Sequence, residues 1–399
     1  MLLTMKEVNK LRVVQGYMDG KIEMEEASRI LKRHPRSMYR MVAKVRAKGP
    51  EGVLHGNRNK VSRRRVPEST RKKIIEMTLG KYRDINDTHL WEILNEAEGI
   101  RMGRETLRGI LRKGGIVAKR KVKRRKYRSR RERKEAFGML LQVDASPHDW
   151  LEGRGPWLTL VGSIDDATGY VWAQFEEAET TWGYLDLMEE VFHTHGLPLS
   201  LYADRHSIFH TTREPTIIEQ LKDVVPLTQF GRAMEELGIS LIKAWTPQAK
   251  GRIERLWGTF QDRLVVVLRL AGAKNREQAR EVLKHFLKEY NRRFCLLPKQ
   301  ATAVFKKAPP AVVLHKILCL KETRVVKKDH TVSFEGLVLQ IPPSKMYPCL
   351  ADRKVNVREY RDGHIEIVYR DTVVARFSSE AIRRLLNSKS VQHRMKMAA

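Results

Sequence analysis

The sequence predicts a multidomain protein with an all-α N-terminal part, a central α/β core and a small C-terminal β-barrel. Over the first 116 residues, apolar side chains recur at helical spacing between Gly- and Pro-containing turns. From residue 138, short apolar strands alternate with helices, and after residue 320 only short alternating strands follow. A chain of 399 residues is long enough for several such domains.

The charge of the chain is high and unevenly distributed. Lys and Arg number 77 against 47 Asp and Glu, which gives a formal net charge of +30. Residues 1–140 contain 39 of these basic residues and only 16 acidic ones. A basic region of this kind indicates a polyanionic partner, most often nucleic acid, and argues against small cationic substrates.

Cysteine use and hydropathy exclude several classes of protein. Cys295, Cys319 and Cys349 are too widely spaced for a CxxC zinc site, and an odd number does not make a disulfide framework. The N-terminus lacks the pattern of a signal peptide, and no stretch approaches the ~20 apolar residues of a membrane span. We therefore expect a soluble intracellular protein that has no membrane partner.

The first predicted domain, residues 1–60, contains three short helices. Their expected bounds are Thr4–Tyr17, Met24–Leu31 and Ser37–Lys48. In the third helix the apolar residues share one face, as they do in a helix-turn-helix that places its other face in a DNA major groove. A solvated basic face on a packing helix remains the alternative. The candidate DNA contacts on that face are Arg36, Ser37, Arg40 and Lys44.

A second helix-turn-helix domain is predicted at residues 66–116. One helix is expected to open at Pro67 and end at Leu79, a second to surround Leu94, and a third to cover Arg104–Lys113. Two tandem units favour DNA binding because a single unit reads few base pairs. The candidate DNA contacts here are Arg104, Thr106 and Arg108.

Residues 117–136 form a predicted basic linker. Between Lys119 and Lys134 there are 12 Lys and Arg and one Glu. Such a run repels itself and is expected to order only on phosphate, so its binding should weaken steeply with salt. A nuclear-localisation signal is the weaker interpretation. The candidate DNA contacts are Lys119, Arg120, Lys121, Lys123, Arg124, Arg125 and Lys126.

The pattern of residues 137–297 predicts an RNase H-like α/β core. Three antiparallel strands are followed by alternating helices and strands, and the last helix is long. In this fold the first and fourth strands are neighbours. The expected strands are Met139–Val143, Trp157–Ile164, Tyr170–Phe175, Leu199–Ala203 and Ile239–Ala244, and the expected helices are Thr181–His195 and about Gln248–Leu270.

Three acidic residues occupy positions at which this fold would bring them together. Asp144 ends the first strand, Asp204 ends the fourth, and Glu254 lies early in the long helix. Three converging carboxylates suit two divalent ions in an in-line displacement at phosphorus. Oxygen ligands favour Mg²⁺, with Mn²⁺ as a substitute. Asp165 and Asp166 are rival candidates, but their hairpin turn explains them structurally.

Basic residues surround the predicted glutamate. Lys250, Arg252 and Arg255 are candidates for holding DNA phosphates beside the metal site, and an exposed basic face is an equal alternative. The interval from Asp204 to Glu254 includes an apparent insertion at about residues 211–228, which would contact DNA or a partner subunit, or cover a surface.

Residues 320–385 predict a small SH3-like β-barrel, followed by a basic tail at residues 386–399. Turn signals separate the strands. The expected strands are Thr323–Lys327, Thr331–Phe334, Leu337–Gln340, Lys354–Glu359, His364–Tyr369 and Thr372–Phe377.

Three long segments resemble the transposases of the ISNCY insertion-sequence family, within the DDE transposase/integrase superfamily. They read LLQVDASPHDWLEGRGPWLTLVGSIDDATGYV, LYADRHSIFH and TQFGRAMEELGISLIKAWTPQAKGRIERLWGTFQDRL. The resemblance implies that Asp144, Asp204 and Glu254 form a Mg²⁺-binding catalytic triad. It also implies nicking of element ends and joining of 3′-hydroxyls to target DNA, by a dimer or larger homo-oligomer on paired ends.

The resemblance further implies that the helix-turn-helix units bind terminal inverted repeats of double-stranded DNA, in a bacterial cytoplasm and associated with the nucleoid. Two other functions stay open. One is a DNA-binding regulator derived from a transposase and no longer catalytic. The other is a nuclease of the same fold that acts on RNA–DNA hybrids.

Overall fold

A computed structural model describes residues 2–58, 65–119, 131–211, 213, 217–221, 226–243 and 250–387. The chain divides into two compact units, Met1–Ile74 and Ile75–Ala399.

The first unit is a three-helix bundle. Its helices α1 (Met5–Met18), α2 (Met24–Leu31) and α3 (Pro35–Lys48) match the predicted helices closely, and a 3₁₀ turn, Gly49–Val53, follows them. Thr4 and Glu7 form a capping box that starts α1. The core is built from apolar residues of all three helices and of the turn, namely Val14, Met24, Ala27, Met38, Val42, Val45 and Val53.

Three further helices precede the central core. They are α4 (Glu68–Leu79), which crosses the boundary between the two units, α5 (Asp87–Glu96) and α6 (Arg104–Lys113). The side chain of Asn86 caps α5 by accepting hydrogen bonds from the backbone of Thr88 and His89. On α6, Leu107, Ile110 and Leu111 are buried, as their spacing predicts.

The central core contains a five-stranded sheet in the order β3-β2-β1-β4-β5. Strands β1, β2 and β3 are antiparallel, whereas β4 pairs in parallel with both β1 and β5. The first and fourth strands are therefore neighbours, as predicted. Their bounds are β1 Leu141–His148, β2 Leu158–Asp165, β3 Val171–Glu176, β4 Ser200–Ala203 and β5 Ser240–Lys243.

Helices cover both faces of this sheet, so the core is a mixed α/β sandwich. One face packs against α7 and α9, and the other packs against α10 and α11. The helices are α7 Thr181–Thr194, α8 Ile217–Leu221, α9 Gln229–Glu236, α10 Gly251–Leu270, α11 Arg276–Phe294 and α12 Ala311–Ile317.

The predicted end of the first strand is wrong. Strand β1 continues to His148, because residues 141–148 all pair with β2, so Asp144 lies inside the strand and not at its end. Helix α10 is described as Gly251–Leu270, and its predicted start at about Gln248 lies outside the described residues. Residues 244–249, which include the predicted end of the fifth strand and the Trp-Thr-Pro turn, lie outside the described residues.

All six predicted C-terminal strands form, as two sheets. Strands β6 (Leu320–Val325), β9 (Lys354–Glu359), β10 (Ile365–Tyr369) and β11 (Thr372–Phe377) make one antiparallel sheet. The hairpin of β7 (Thr331–Phe334) and β8 (Leu337–Gln340) makes the other. Both sheets contribute side chains to one core, among them Val332, Leu339, Val357 and Ile367.

Within the part of the chain that the structure describes, we find no helix with the length and apolar character needed to span a membrane.

The shared core of the two C-terminal sheets gives a prediction for strand β8. Leu339 is fully buried, whereas its neighbour Val338 is 52% exposed. We expect Leu339→Ala to lower the free energy of unfolding by about 2–5 kcal/mol through lost burial and a cavity. The matched change Val338→Ala should cost less than about 1 kcal/mol. Denaturant unfolding of the full chain measures both, and equal losses would contradict the packing described.

Candidate active site

Two of the three predicted acids converge at the centre of the sheet. In the parallel pairing of β1 with β4, Leu141 lies opposite Leu201 and Gln142 opposite Tyr202. Asp144 follows Leu141 by three residues, and Asp204 follows Leu201 by three residues. The two carboxylates are thus brought to the same level of neighbouring strands.

The ammonium group of Lys250 lies between these two carboxylates. Its Nζ is 2.8 Å from Asp144 Oδ1 and 3.3 Å from Asp204 Oδ2. Lys250 is only 7% exposed. Because a buried ammonium needs charged or hydrogen-bonding partners, the two aspartates account for its position. The sequence predicts a phosphate contact for Lys250, whereas the structure pairs it with Asp144 and Asp204. No local pattern signals this pairing, because the residues are up to 106 positions apart.

Trp257 donates a hydrogen bond to the second carboxylate oxygen of Asp144. Its indole Nε1 donates a hydrogen bond of 2.9 Å to Asp144 Oδ2. Space for the ring comes from Gly162, which pairs with Asp144 across β1 and β2. A Cβ atom at Gly162 would lie 2.6 Å from the Trp257 ring. Trp257 is therefore both a core residue and the group that orients this carboxylate.

Glu254 lies in the first turn of α10, one helical turn after Lys250, and is exposed. The start of this helix is held against β1, because the backbone amide of Ile253 donates to Gln142 Oε1 at 3.3 Å. Among the described residues, no three His, Cys, Asp or Glu side chains are close enough together to hold a metal ion. The structure thus brings Asp144 and Asp204 together and leaves Glu254 outside their immediate cluster.

Arg252 binds a buried carboxylate, that of Asp166, and does not extend towards a DNA phosphate. The sequence predicts a phosphate contact for Arg252, whereas its Nε donates to Asp166 Oδ1 at 2.7 Å. Asp166 is fully buried and also accepts hydrogen bonds from Gln142 Nε2 and the Lys134 amide, both at 2.9 Å, and from Arg131. We call Asp166 with these four partners the Asp166 clasp.

Opposing effects act on the pKa of Asp166. Burial raises it, but the Lys134 amide and the Arg252 guanidinium outweigh burial and leave the pKa below its ordinary value. The carboxylate therefore stays ionised and paired. The clasp connects β1, the start of α10 and the C-terminal end of the predicted basic linker.

Asp165 has a structural role in the turn after β2. Its carboxylate accepts hydrogen bonds from the Thr168 amide and hydroxyl, at 2.7 and 2.8 Å, and from the Gly138 amide at 3.1 Å. Burial raises its pKa above the ordinary value. These contacts support the interpretation of Asp165 as a turn residue.

The candidate DNA contacts of the first unit share one exposed helix face. On α3, Met38, Val42 and Val45 are buried. The predicted opposite face is exposed, and it carries Arg36, Ser37, Tyr39, Arg40 and Lys44. This face of α3 combines guanidinium, ammonium and hydroxyl groups that can contact phosphates and base edges.

The candidates of the second unit differ from one another. Arg104 and Thr106 are exposed on α6, whereas Arg108 is half-buried and paired with Glu105 and Asp87. Lys119 is paired with Asp262, at 3.2 Å, in the middle of α10. Arg255 is exposed beside Glu254. The remaining linker candidates, Arg120, Lys121, Lys123, Arg124, Arg125 and Lys126, lie outside the described residues, as does much of the predicted insertion at 211–228.

Helix α5 is attached to the core by ion pairs. Arg263 of α10 donates two hydrogen bonds to Glu92 of α5, at 2.6 and 3.0 Å, and Arg293 of α11 bonds Glu96 at 2.6 Å. All four side chains lie within the second compact unit. Helix α10 therefore connects the acidic pair to α5.

Two proteins of known family are similar to the chain over most of its length. A protein of Sinorhizobium fredii (strain NBRC 101917 / NGR234), named as a candidate transposase, y4bF, is 32% identical over 366 residues, covering 91% of this chain and 78% of that protein. The transposase for insertion sequence IS1202 of Streptococcus pneumoniae is 31% identical over 368 residues, covering 83% of this chain and 77% of that protein. The chain belongs to the insertion-sequence transposases.

Solved structures similar to this transposase chain are retroviral. A chain of a simian T-cell lymphotropic virus intasome has a TM-score of 0.35 and 15% identity, covering 77% of this chain and 96% of its own. The catalytic core domain of HTLV-2 integrase, in complex with magnesium, has a TM-score of 0.28 and 15% identity, covering 37% and 82%. At such TM-scores the fold assignment rests on the strand order described above. No family model matches the chain.

The Asp166 clasp gives a prediction for stability. Asp166→Asn removes the charge that compensates Arg252, whose side chain is only 15% exposed. Because an uncompensated buried charge is costly, we expect the free energy of unfolding to fall by about 3 kcal/mol. The control Glu177→Gln removes a carboxylate that is 75% exposed and paired with Arg276, and it should cost less than about 1 kcal/mol. Urea unfolding measures both, and an Asp166→Asn protein as stable as the control would contradict the clasp.

Proposed function

We propose that the protein is a metal-dependent DNA transposase that cuts the ends of its element and joins the 3′-hydroxyls to target DNA. The observation that carries this proposal is the convergence of Asp144 and Asp204 around a cation, in a chain of the insertion-sequence transposase family. Membership of the ISNCY group and the DDE mechanism are parts of the proposal.

The donor set fits a divalent ion. Asp144 and Asp204 offer carboxylate oxygens, which Mg²⁺ and Mn²⁺ prefer. The space between the two carboxylates already accommodates one cation, the Lys250 ammonium. We assign Asp144, Asp204 and Glu254 as the ligands. When bound, the metal would activate a water or a 3′-hydroxyl and stabilise the leaving oxygen at phosphorus.

The surrounding residues prepare the site for this chemistry. Trp257 fixes the orientation of Asp144 through its indole hydrogen bond, and Gly162 makes room for the indole ring. Gln142 holds the first turn of α10, and hence the backbone of Glu254, against β1. These contacts restrict Asp144 and the first turn of α10 before DNA arrives, which favours pre-organised catalysis.

The N-terminal helices supply DNA binding in this proposal. The three-helix arrangement of the first unit and the exposed basic face of α3 support a helix-turn-helix, and α4–α6 support a second one. Their targets would be the terminal inverted repeats. The basic linker would grip phosphates, and the C-terminal strands would form an SH3-like barrel that bridges DNA or subunits of a homo-oligomer on paired ends.

A catalytically inactive DNA-binding regulator is the second candidate. The placement of Asp144 and Asp204 favours the transposase, since DNA binding alone does not require two carboxylates at adjacent positions of the central sheet. A nuclease for RNA–DNA hybrids would leave the N-terminal helices without a role.

Removal of any one acid tests the catalytic proposal. We expect Asp144→Asn, Asp204→Asn and Glu254→Gln each to reduce strand transfer at least about a thousandfold, while binding of an element-end duplex is kept. The matched control is Glu281→Gln, which changes an exposed glutamate on α11, a helix of the central domain. Cleavage and joining of a labelled element end in Mg²⁺ measure the effect. Full activity in any of the three variants would remove that residue from the catalytic set.

The exposed face of α3 gives a prediction for DNA binding. Arg40→Ala should weaken binding of an element-end duplex about tenfold or more, because one good arginine contact to a base is worth about 1–3 kcal/mol. Arg12→Ala makes the same charge change on the exposed surface of α1 and serves as the control. Binding is measured by fluorescence anisotropy at two salt concentrations. Equal losses in both variants would indicate general electrostatic attraction and contradict site-specific reading by α3.

A further inference from the structure

The position of Lys250 suggests a role that a phosphate contact does not explain. Its ammonium is almost completely buried and within 3.3 Å of one oxygen from each aspartate. A residue whose function is to reach for DNA would be expected to extend into solvent, as Arg255 does on the next helical turn. Lys250 instead points into the site.

We infer that Lys250 is an internal counter-cation, which holds Asp144 and Asp204 together in the metal-free protein and competes with the divalent ion for the same oxygens. This inference rests on the proposed metal site and names one residue that controls how readily it fills.

Asp144 and Asp204 repel each other in the metal-free protein. Two carboxylates at the same level of neighbouring strands raise each other's energy, and solvent screens this repulsion only in part, because Asp144 is 21% and Asp204 45% exposed. The Lys250 ammonium reduces the charge of this pair from −2 to −1 and bonds both partners. It therefore stabilises the arrangement of the site before a metal ion binds.

The Lys250 ammonium and a divalent ion exclude each other from the space between the two aspartates. An ion that coordinates both Asp144 and Asp204 must lie between them, at oxygen distances of about 2.0–2.1 Å for Mg²⁺. The ammonium nitrogen lies between the same two oxygens, at 2.8 and 3.3 Å. Two cations cannot share that space without strong repulsion. Lys250 has to leave when the ion binds.

The Lys250 side chain can leave the two aspartates without moving α10. Lys250 is the residue that precedes the first turn of α10, and that turn is held by Arg252 in the Asp166 clasp and by Ile253 on Gln142. A lysine side chain has a flexible four-carbon stem. The ammonium can therefore move away while α10 keeps its contacts with β1.

The test measures Mn²⁺ affinity of the full-length protein without DNA, by calorimetry, and the melting temperature of the metal-free protein. Lys250→Gln removes the cation and keeps a polar side chain, and Lys250→Arg keeps the cation. Lys288→Gln removes an exposed positive charge from α11 and is the matched control. Asp144→Asn is the control for the metal site itself.

We expect Lys250→Gln to bind Mn²⁺ at least fivefold more tightly than the wild-type protein and to melt at a lower temperature without metal. Lys250→Arg and Lys288→Gln should stay within twofold of the wild-type affinity. A folded Lys250→Gln protein that binds Mn²⁺ no more tightly than the wild type would overturn the inference. Asp144→Asn is measured both in the wild-type protein and together with Lys250→Gln. If it leaves the Mn²⁺ affinity unchanged in both, the proposed metal site itself is wrong, and this result is distinct from a failure of the role inferred for Lys250.

Discussion

The parallel pairing of β1 with β4 is the contact on which the candidate active site depends. It connects two parts of the chain that are 60 residues apart in sequence, and it sets Asp144 and Asp204 side by side. The charge concentrated there has to be compensated, and the compensation comes from α10. Lys250 supplies the cation and Trp257 supplies a hydrogen bond, so one helix both crosses the sheet and completes the site.

A second electrostatic centre, the Asp166 clasp, attaches the predicted basic linker to the same helix. Arg131 and Lys134 lie near the C-terminal end of the predicted basic linker, and both bond the buried carboxylate that also holds Arg252. Near the N-terminal end of the linker, Lys119 is paired with Asp262 in the middle of α10. In the proposed transposase, residues near both ends of this linker are thus attached to the helix that carries Glu254.

Local patterns predict most elements, because apolar periodicity and turn residues are properties of short segments. The neighbouring placement of Asp144 and Asp204 follows from the fold class, in which the first and fourth strands pair. The partners of Lys250 and Arg252 could not be predicted in this way. Each bonds a carboxylate more than 80 residues away, and an exposed basic helix face and a buried ion pair have the same local sequence. The extension of β1 beyond Asp144 was missed because Ser146, Pro147 and His148 interrupt the apolar run.

Anomalous diffraction from crystals of the full chain grown with Mn²⁺ locates the ion and tests the catalytic centre most directly. We expect an anomalous peak between the carboxylates of Asp144 and Asp204, with Lys250 displaced from both oxygens and the Asp166 clasp unchanged. A Mn²⁺ site elsewhere on the chain, with Lys250 still bonded to both aspartates, would contradict the assignment of these residues as the catalytic centre.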